Sequence, residues 1–159
     1  MQHYTLTIPV TVKQEAEFTE EEKQLVEAAR AATYRSYAPY SRFCVGAAAL
    51  LADGTIVTGS NQENAASPSG ICAERTTIFH ANSEHPDQPV LALAIAARDT
   101  SGQFTERPIS PCGACRQVLV ETESRYQQPI AILLYGTLGT HIISSAKELL
   151  PVSFDASYL

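Results

Sequence analysis

Apolar and polar residues alternate along Tyr4, Leu6, Ile8, Val10 and Val12 against Thr5, Thr7 and Thr11, the two-residue period of a strand. Pro9 removes a donor, which places this arm at a sheet edge or as an extended packing segment. The period changes at Thr19. Thr19-Glu20-Glu21-Glu22 is a capping box. Leu25, Val26, Ala29 and Ala32 then form the apolar stripe of a helix that ends before Pro39. Acids crowd its first turn and Arg30 and Arg35 follow, in line with the helix macrodipole. Residues 45–51 and 55–59 flank Asp53-Gly54 and predict a hairpin. Residues 60–70, rich in Asn, Ser and Gly, predict a loop. A second helix is predicted over 72–81, apolar at Ala73, Ile78 and Ala81. The continuous apolar run 90–97 reads as a buried central strand, and 98–110 as a polar loop. A third helix over 112–122 carries Val118 and Leu119. A buried strand over 130–135 follows, then a turn between Gly136 and Gly139 and a short strand at 141–143. Ser144 or Ser145 caps a terminal turn through Leu150.

Strands that alternate with helices argue for an α/β fold of three layers, α/β/α, around a mixed sheet. The 159 residues fit an N-terminal extended arm, 1–18, and one domain, 19–159. Hydrophobic content of 45% against 18% charged residues describes a folded globular chain. A net charge of −6 argues against nucleic acid or an anionic membrane as partner. No apolar run reaches spanning length, because Asp53, Arg98 and Asp99 interrupt the longer ones. The N-terminus lacks the basic-then-apolar layout of a signal peptide, so the expected compartment is the cytoplasm. In that setting four cysteines suggest metal ligands or free thiols before disulfides.

Three of those cysteines fall in two short stretches, Cys72-Ala73-Glu74-Arg75 and Pro111-Cys112-Gly113-Ala114-Cys115. Three thiolates hold Zn²⁺ at about 2.3 Å each and leave a fourth tetrahedral position for water. A structural site would be closed by a fourth protein ligand, and it would have no use for a carboxylate beside it. Glu74 is such a carboxylate, placed to move protons. Cys72 starts one predicted helix and Cys112 and Cys115 another, and helix N-termini favour thiolates. Zinc with three thiolates carries net charge −1, which blunts the acidity of bound water. Arg75 is the candidate to offset that charge. A zinc-stapled interaction module without turnover is the non-enzyme alternative.

Further blocks extend the pattern: Ala38-Pro39-Tyr40-Ser41-Arg42-Phe43 with Val45-Gly46-Ala47-Ala48, then Asn61-Gln62-Glu63-Asn64-Ala65. Next come Gly70-Ile71 ahead of Cys72, Ser110 through Gln117, and Glu148-Leu149-Leu150-Pro151 with Phe154. With these blocks in this order, from about residue 37 to the C-terminus, the chain resembles the small, homotetrameric cytidine deaminases. The resemblance implies a five-stranded sheet and one zinc per chain, held by Cys72, Cys112 and Cys115 between two helix N-termini. It implies that Glu74 passes a proton from water to N3 of cytosine and then helps ammonia leave, while Arg75 bonds the zinc thiolates. It assigns Asn61 and Glu63 to the ribose, with Glu63 on the 3′-hydroxyl, and Phe43 to the face of the nucleoside. Ala73 and the Ser110 carbonyl join the substrate contacts, and Phe154 closes over the base in a neighbouring subunit's site.

The implied activity is hydrolytic deamination of cytidine and 2′-deoxycytidine in pyrimidine salvage, by a cytosolic homotetramer with shared sites. The enzyme alternative is a deaminase of a modified cytosine nucleoside of the blasticidin-S type; Asn61 with Glu63 favours an ordinary ribose or deoxyribose. There are departures from the family pattern. Ser67 stands where a tyrosine is frequent, Gln62 replaces an apolar residue, and Cys44 replaces proline or glutamine and reads as packing. The arm is additional. His3, His80, His85 and His141 have no ligand-like place.

Overall fold

Thr19 starts the first helix in the way its capping box predicts. Its hydroxyl accepts from the Glu22 amide, and the Glu22 carboxylate accepts from the Thr19 amide at 2.8 Å. That helix, α1, spans Glu20–Ala32 and tightens into a 3₁₀ turn, Thr33–Arg35. Its predicted stripe, Leu25, Val26, Ala29 and Ala32, is buried.

The computed structural model describes residues 1–159. After β1 (Thr11–Lys13) and α1 come β2 (Phe43–Leu51), β3 (Ile56–Ser60), α2 (Ala73–Glu84), β4 (Val90–Asp99), α3 (Gly113–Tyr126), β5 (Ala131–Leu134) and β6 (Thr140–Ile143). They form one mixed sheet in the order β1-β6-β5-β4-β2-β3. β4 and β5 are parallel and joined through α3; every other pair is antiparallel. The sheet has six strands, not the five implied by resemblance, because the arm contributes an edge strand. Only the end of the alternating stretch does so: residues 1–10 carry no regular structure and are exposed.

The layers follow from side-chain alternation. Val45, Ala47, Ala49 and Leu51 of β2 and Leu93, Ile95 and Ala97 of β4 pack with Ile78 of α2 and Leu119 of α3. Ala48, Leu50, Ala94 and Ala96 point the other way, onto Leu25, Val26 and Ala29 of α1. Two glycines let the helices sit close. A Cβ on Gly46 would run into the Ala29 carbonyl of α1, and one on Gly59 would lie 2.6 Å from Thr77 Oγ1 of α2. No helix is long and apolar enough to cross a membrane.

α3 and β4 run past their predicted limits for visible reasons. α3 continues to Tyr126 and ends on Gln127 in the left-handed conformation, φ 51°. Its buried Glu123 accepts from the Ile130 and Ala146 amides, both at 2.7 Å, and so fastens the helix to the start of β5 and to the terminal turn that Ser145 caps. β4 runs on to Asp99 because Arg98, assigned to a loop by its charge, is buried. Its guanidinium donates to Thr33 Oγ1 at 3.0 Å and to the Thr33 carbonyl at the end of α1, and lies 4.1 Å from the Tyr34 ring centre.

Candidate active site

The helices α2 and α3 lie on the same face of the sheet, and a cysteine occupies the N-cap of each. Cys72 and Cys112 have extended backbones (φ −75°, ψ 155° and φ −67°, ψ 168°), and neither side chain caps its own helix. Their sulfurs are therefore free to point outward from the helix starts. Cys115 is the third residue of α3 and is fully buried. N-cap and third-position side chains meet on a helix, as they do in a capping box, so Cys112 and Cys115 come together with Sγ atoms 3.4 Å apart. Cys72 Sγ lies 3.9 Å from Cys112 Sγ, and all three sulfurs fall within 4.8 Å of one another.

A tetrahedral zinc with sulfurs at about 2.3 Å places those sulfurs about 3.8 Å apart. The three cysteines fit that ion and leave one coordination position open. They are the only cluster of three or more potential ligands in the chain. Cys44 is buried on β2 away from it, and no histidine belongs to it.

The electrostatics around the sulfurs follow from burial and from their charged neighbours. Burial pushes the Cys115 thiol well up, reinforced by the Glu74 charge. Burial also raises Cys72, against a lowering bond from Arg75. For Cys112 burial works upward too, but bonds from Cys115 and Cys72 outweigh it and hold the thiol below its ordinary value. A metal must displace these protons on binding. Arg75 donates from Nη2 to Cys72 Sγ at 3.8 Å, and its Nε is buried without a partner. Glu74, the second residue of α2, is only 5% exposed; desolvation lifts its carboxyl above the ordinary glutamate value.

Cys72 and Arg75 line an open cleft of about 510 Å³ that also takes in Asn61, Glu63, Tyr40 and Ser67. Glu63 accepts at Oε2 from the Tyr40 amide at 2.9 Å and the Ser41 amide at 3.2 Å. Bonds from Ser41 and Tyr40 keep its carboxyl below the usual range. The Asn61 amide is used within the fold: Nδ2 donates to the Phe43 carbonyl, and Oδ1 accepts from the Val45 amide and the Ser36 hydroxyl. Gln62, between them in sequence, donates instead to the Arg35 carbonyl and Ser60 Oγ.

Four predicted substrate contacts, Phe43, Ala73, Ser110 and Phe154, stand outside the lining of this cleft within one chain. Phe43 opens β2 with its ring exposed, and Ser110 is exposed two residues before Cys112. Phe154, 59% exposed, stacks on Tyr158 with ring centres 5.5 Å apart. Ala73 is fully buried as the first residue of α2, its carbonyl taken by Thr77 Oγ1 at 2.8 Å. Sequence reasoning missed the residues that secure the surroundings. Arg116 donates to the carbonyls of Pro111 and Leu149, both at 2.8 Å, and Gln117 donates to the Phe154 carbonyl at 2.9 Å. Their signal was in plain view, directly after Cys115, but a motif read for its ligands hides its fasteners.

A family profile for the cytidine and deoxycytidylate deaminase zinc-binding region matches residues 19–128. The chain is 41% identical over 134 residues to the cytidine deaminase of Halalkalibacterium halodurans, covering 84% of this chain and 94% of that one. It is 48% identical over 139 residues to the cytidine deaminase of Sporosarcina psychrophila, covering 86% and 95%. Among solved structures, cytidine deaminase from Burkholderia pseudomallei superposes with a TM-score of 0.72 at 39% identity, over 86% of this chain and 100% of that one.

Proposed function

The chain belongs to the cytidine and deoxycytidylate deaminase family and has cytidine deaminase activity, with zinc bound by Cys72, Cys112 and Cys115, and on this premise we propose that it takes both cytidine and 2′-deoxycytidine, as a salvage enzyme, releasing ammonia. Bound zinc supplies the Lewis acidity that activates water for attack on C4 of the base. Glu74 does the proton work. As a carboxylate it accepts a proton from the attacking water; as an acid it delivers that proton to N3, and it later serves the departing amine. The observation that carries this role is position: a buried carboxyl two residues beyond a zinc ligand, in an environment that favours its neutral form. Arg75, donating to Cys72 Sγ, offsets the negative charge of three thiolates without forming the site.

Elsewhere in the same cleft, Glu63 holds the sugar. Both backbone amides that Glu63 accepts from bond Oε2, which leaves Oε1 for the 3′-hydroxyl. Asn61 sets the shape of this part through the start of β2. The base is covered by a second chain in a homotetramer. Phe154 supports this: an exposed aromatic ring on a tail tied to α3 by Gln117, outside the cleft of its own chain.

The test is turnover with a panel of cytosine nucleosides, followed by loss of cytosine absorbance and by ammonia release. Glu74→Gln should keep zinc and nucleoside binding while kcat falls by roughly 10²–10⁴-fold; near-normal kcat would remove Glu74 from the reaction. For the shared site, Glu74→Gln and Phe154→Ala chains are mixed after dissociation, once each is shown to be strongly impaired alone. Activity above either parent supports donation of Phe154 across subunits, and its absence in confirmed mixed tetramers refutes it.

A further inference from the structure

The family profile covers residues 19–128, and the arm lies before it. Tyr4, Leu6, Ile8 and Val10 are 79%, 54%, 42% and 47% exposed, and residues 2–12 hold no Asp, Glu, Lys or Arg in a chain of net charge −6. An exposed, uncharged apolar segment that continues an edge strand is a template for further pairing.

The backbone shows which side of the arm is available. Tyr135 N donates to the Ile95 carbonyl at 2.9 Å, so Leu133 and Tyr135 turn their amides and carbonyls toward β4, and Ile132 and Leu134 turn theirs toward β6. Ile132 and Leu134 stand opposite Ile143 and His141. Thr140 and Ile142 therefore face β1, where they meet Lys13 and Thr11. Within β1, Thr11 and Lys13 therefore bond inward and Val12 presents its amide and carbonyl at the free edge; an arm extended in the same register would continue with odd-numbered residues inward and even-numbered ones outward. The next inward position after Thr11 is Pro9, which has no amide to give, and pairing with β6 stops there. The outer edge, at Leu6, Ile8, Val10 and Val12, loses nothing to the proline.

We propose that residues 4–12 pair antiparallel with the same segment of a second copy of this chain, across a two-fold axis at Ile8. The segment is self-complementary in that register. Tyr4 faces Val12, Thr5 faces Thr11, Leu6 faces Val10 and Thr7 faces Pro9, so apolar side chains share one face and threonines the other. Every apolar residue of the run opposes another. The pairs that exchange hydrogen bonds are the even-numbered ones, about ten bonds in all, while Pro9 falls on a pair that exchanges none. No like charges meet. Such an interface is closed and isologous.

The experiment uses full-length, zinc-loaded chain carrying Ile8→Cys and a short bis-maleimide, with the parent chain as control for the native thiols. A covalent dimer is expected. Leu6→Pro in that background deletes an outward amide and should cut the dimer yield at least tenfold; Thr7→Pro deletes an inward amide and should leave it unchanged. In the parent, hydrogen exchange should protect Leu6, Ile8 and Val10 but not Thr5 or Thr7. Equal effects of the two prolines, absence of the dimer, protection persisting in monomer, or cross-linking only to a different protein would each overturn the proposal.

Discussion

Asn61 holds Phe43 by its backbone: Nδ2 donates to the Phe43 carbonyl at 2.9 Å while Oδ1 accepts from the Val45 amide at 2.8 Å, so one side chain bridges the first and third residues of β2. Asn61→Asp removes the donor and sets a carboxylate against a carbonyl. Stability should fall by about 1–3 kcal/mol, the cost of an unmade bond at a partly buried site. KM should rise alike for nucleosides with and without a 3′-hydroxyl. Denaturant unfolding together with KM for cytidine and 2′,3′-dideoxycytidine checks both.

Glu63→Ala should give the opposite selectivity. Cytidine and 2′-deoxycytidine both lose a partner for the 3′-hydroxyl, with kcat/KM down by roughly tenfold or more for a charged hydrogen bond of about 1.5–3 kcal/mol. The 2′,3′-dideoxy substrate has nothing to lose there. Equal damage to all three would mean that Glu63 matters only for holding the Tyr40 and Ser41 amides.

Cys112→Ala should reduce zinc from one per chain to near none and abolish turnover, since two remaining sulfurs cannot make the site. Cys44→Ala, on β2 outside the cluster, should keep both. Elemental analysis of the two purified proteins decides; full zinc in Cys112→Ala would contradict the ligand set.

The pairing of Lys13 with Glu22 at 2.8 Å links β1 to the start of α1 and makes a pH prediction. Burial pushes the Glu22 carboxyl up, but the bonds from Lys13 and Thr19 outweigh it and hold it below its ordinary 4.5. A carboxyl depressed in the folded state is protonated more readily in the unfolded one. Its contribution is therefore present above pH 4.5 and is lost as pH falls through the lower folded value. Glu22→Gln should cost up to about 1 kcal/mol at neutral pH, from a solvent-screened ion pair, because glutamine keeps the capping-box bond to the Thr19 amide. The gap from the parent should close on acidification, as followed by unfolding at a series of pH values.

Much of this was legible from the chain because local chemistry and long-range structure agree. Thr19 and Glu22 announce a helix start by their own hydrogen bonds, and Cys112 and Cys115 meet because a helix turn brings them together. Periodicity could not say that residues 4–10 would find no partner on their own sheet, since strand pattern specifies a face and leaves the neighbour open. Nor could it find Arg98 or Glu123. Both look like surface charges in sequence, and only the fold supplies the Thr33 oxygens or the Ile130 and Ala146 amides that make their burial affordable. Asn61 was legible as a residue of the cleft, but its bonds to Phe43 and Val45 depend on a strand sixteen or more positions away.

Arg116 and Gln117 grip the C-terminal tail by the carbonyls of Leu149 and Phe154, and carbonyls are the same whatever side chain they accompany. The tether is thus indifferent to the identity of what it holds. Residues along the tail can change over generations, altering what is presented to a neighbour, while the anchorage to the helix bearing two of the metal ligands stays as it is. Attachment and variation are assigned to different atoms of the same residues.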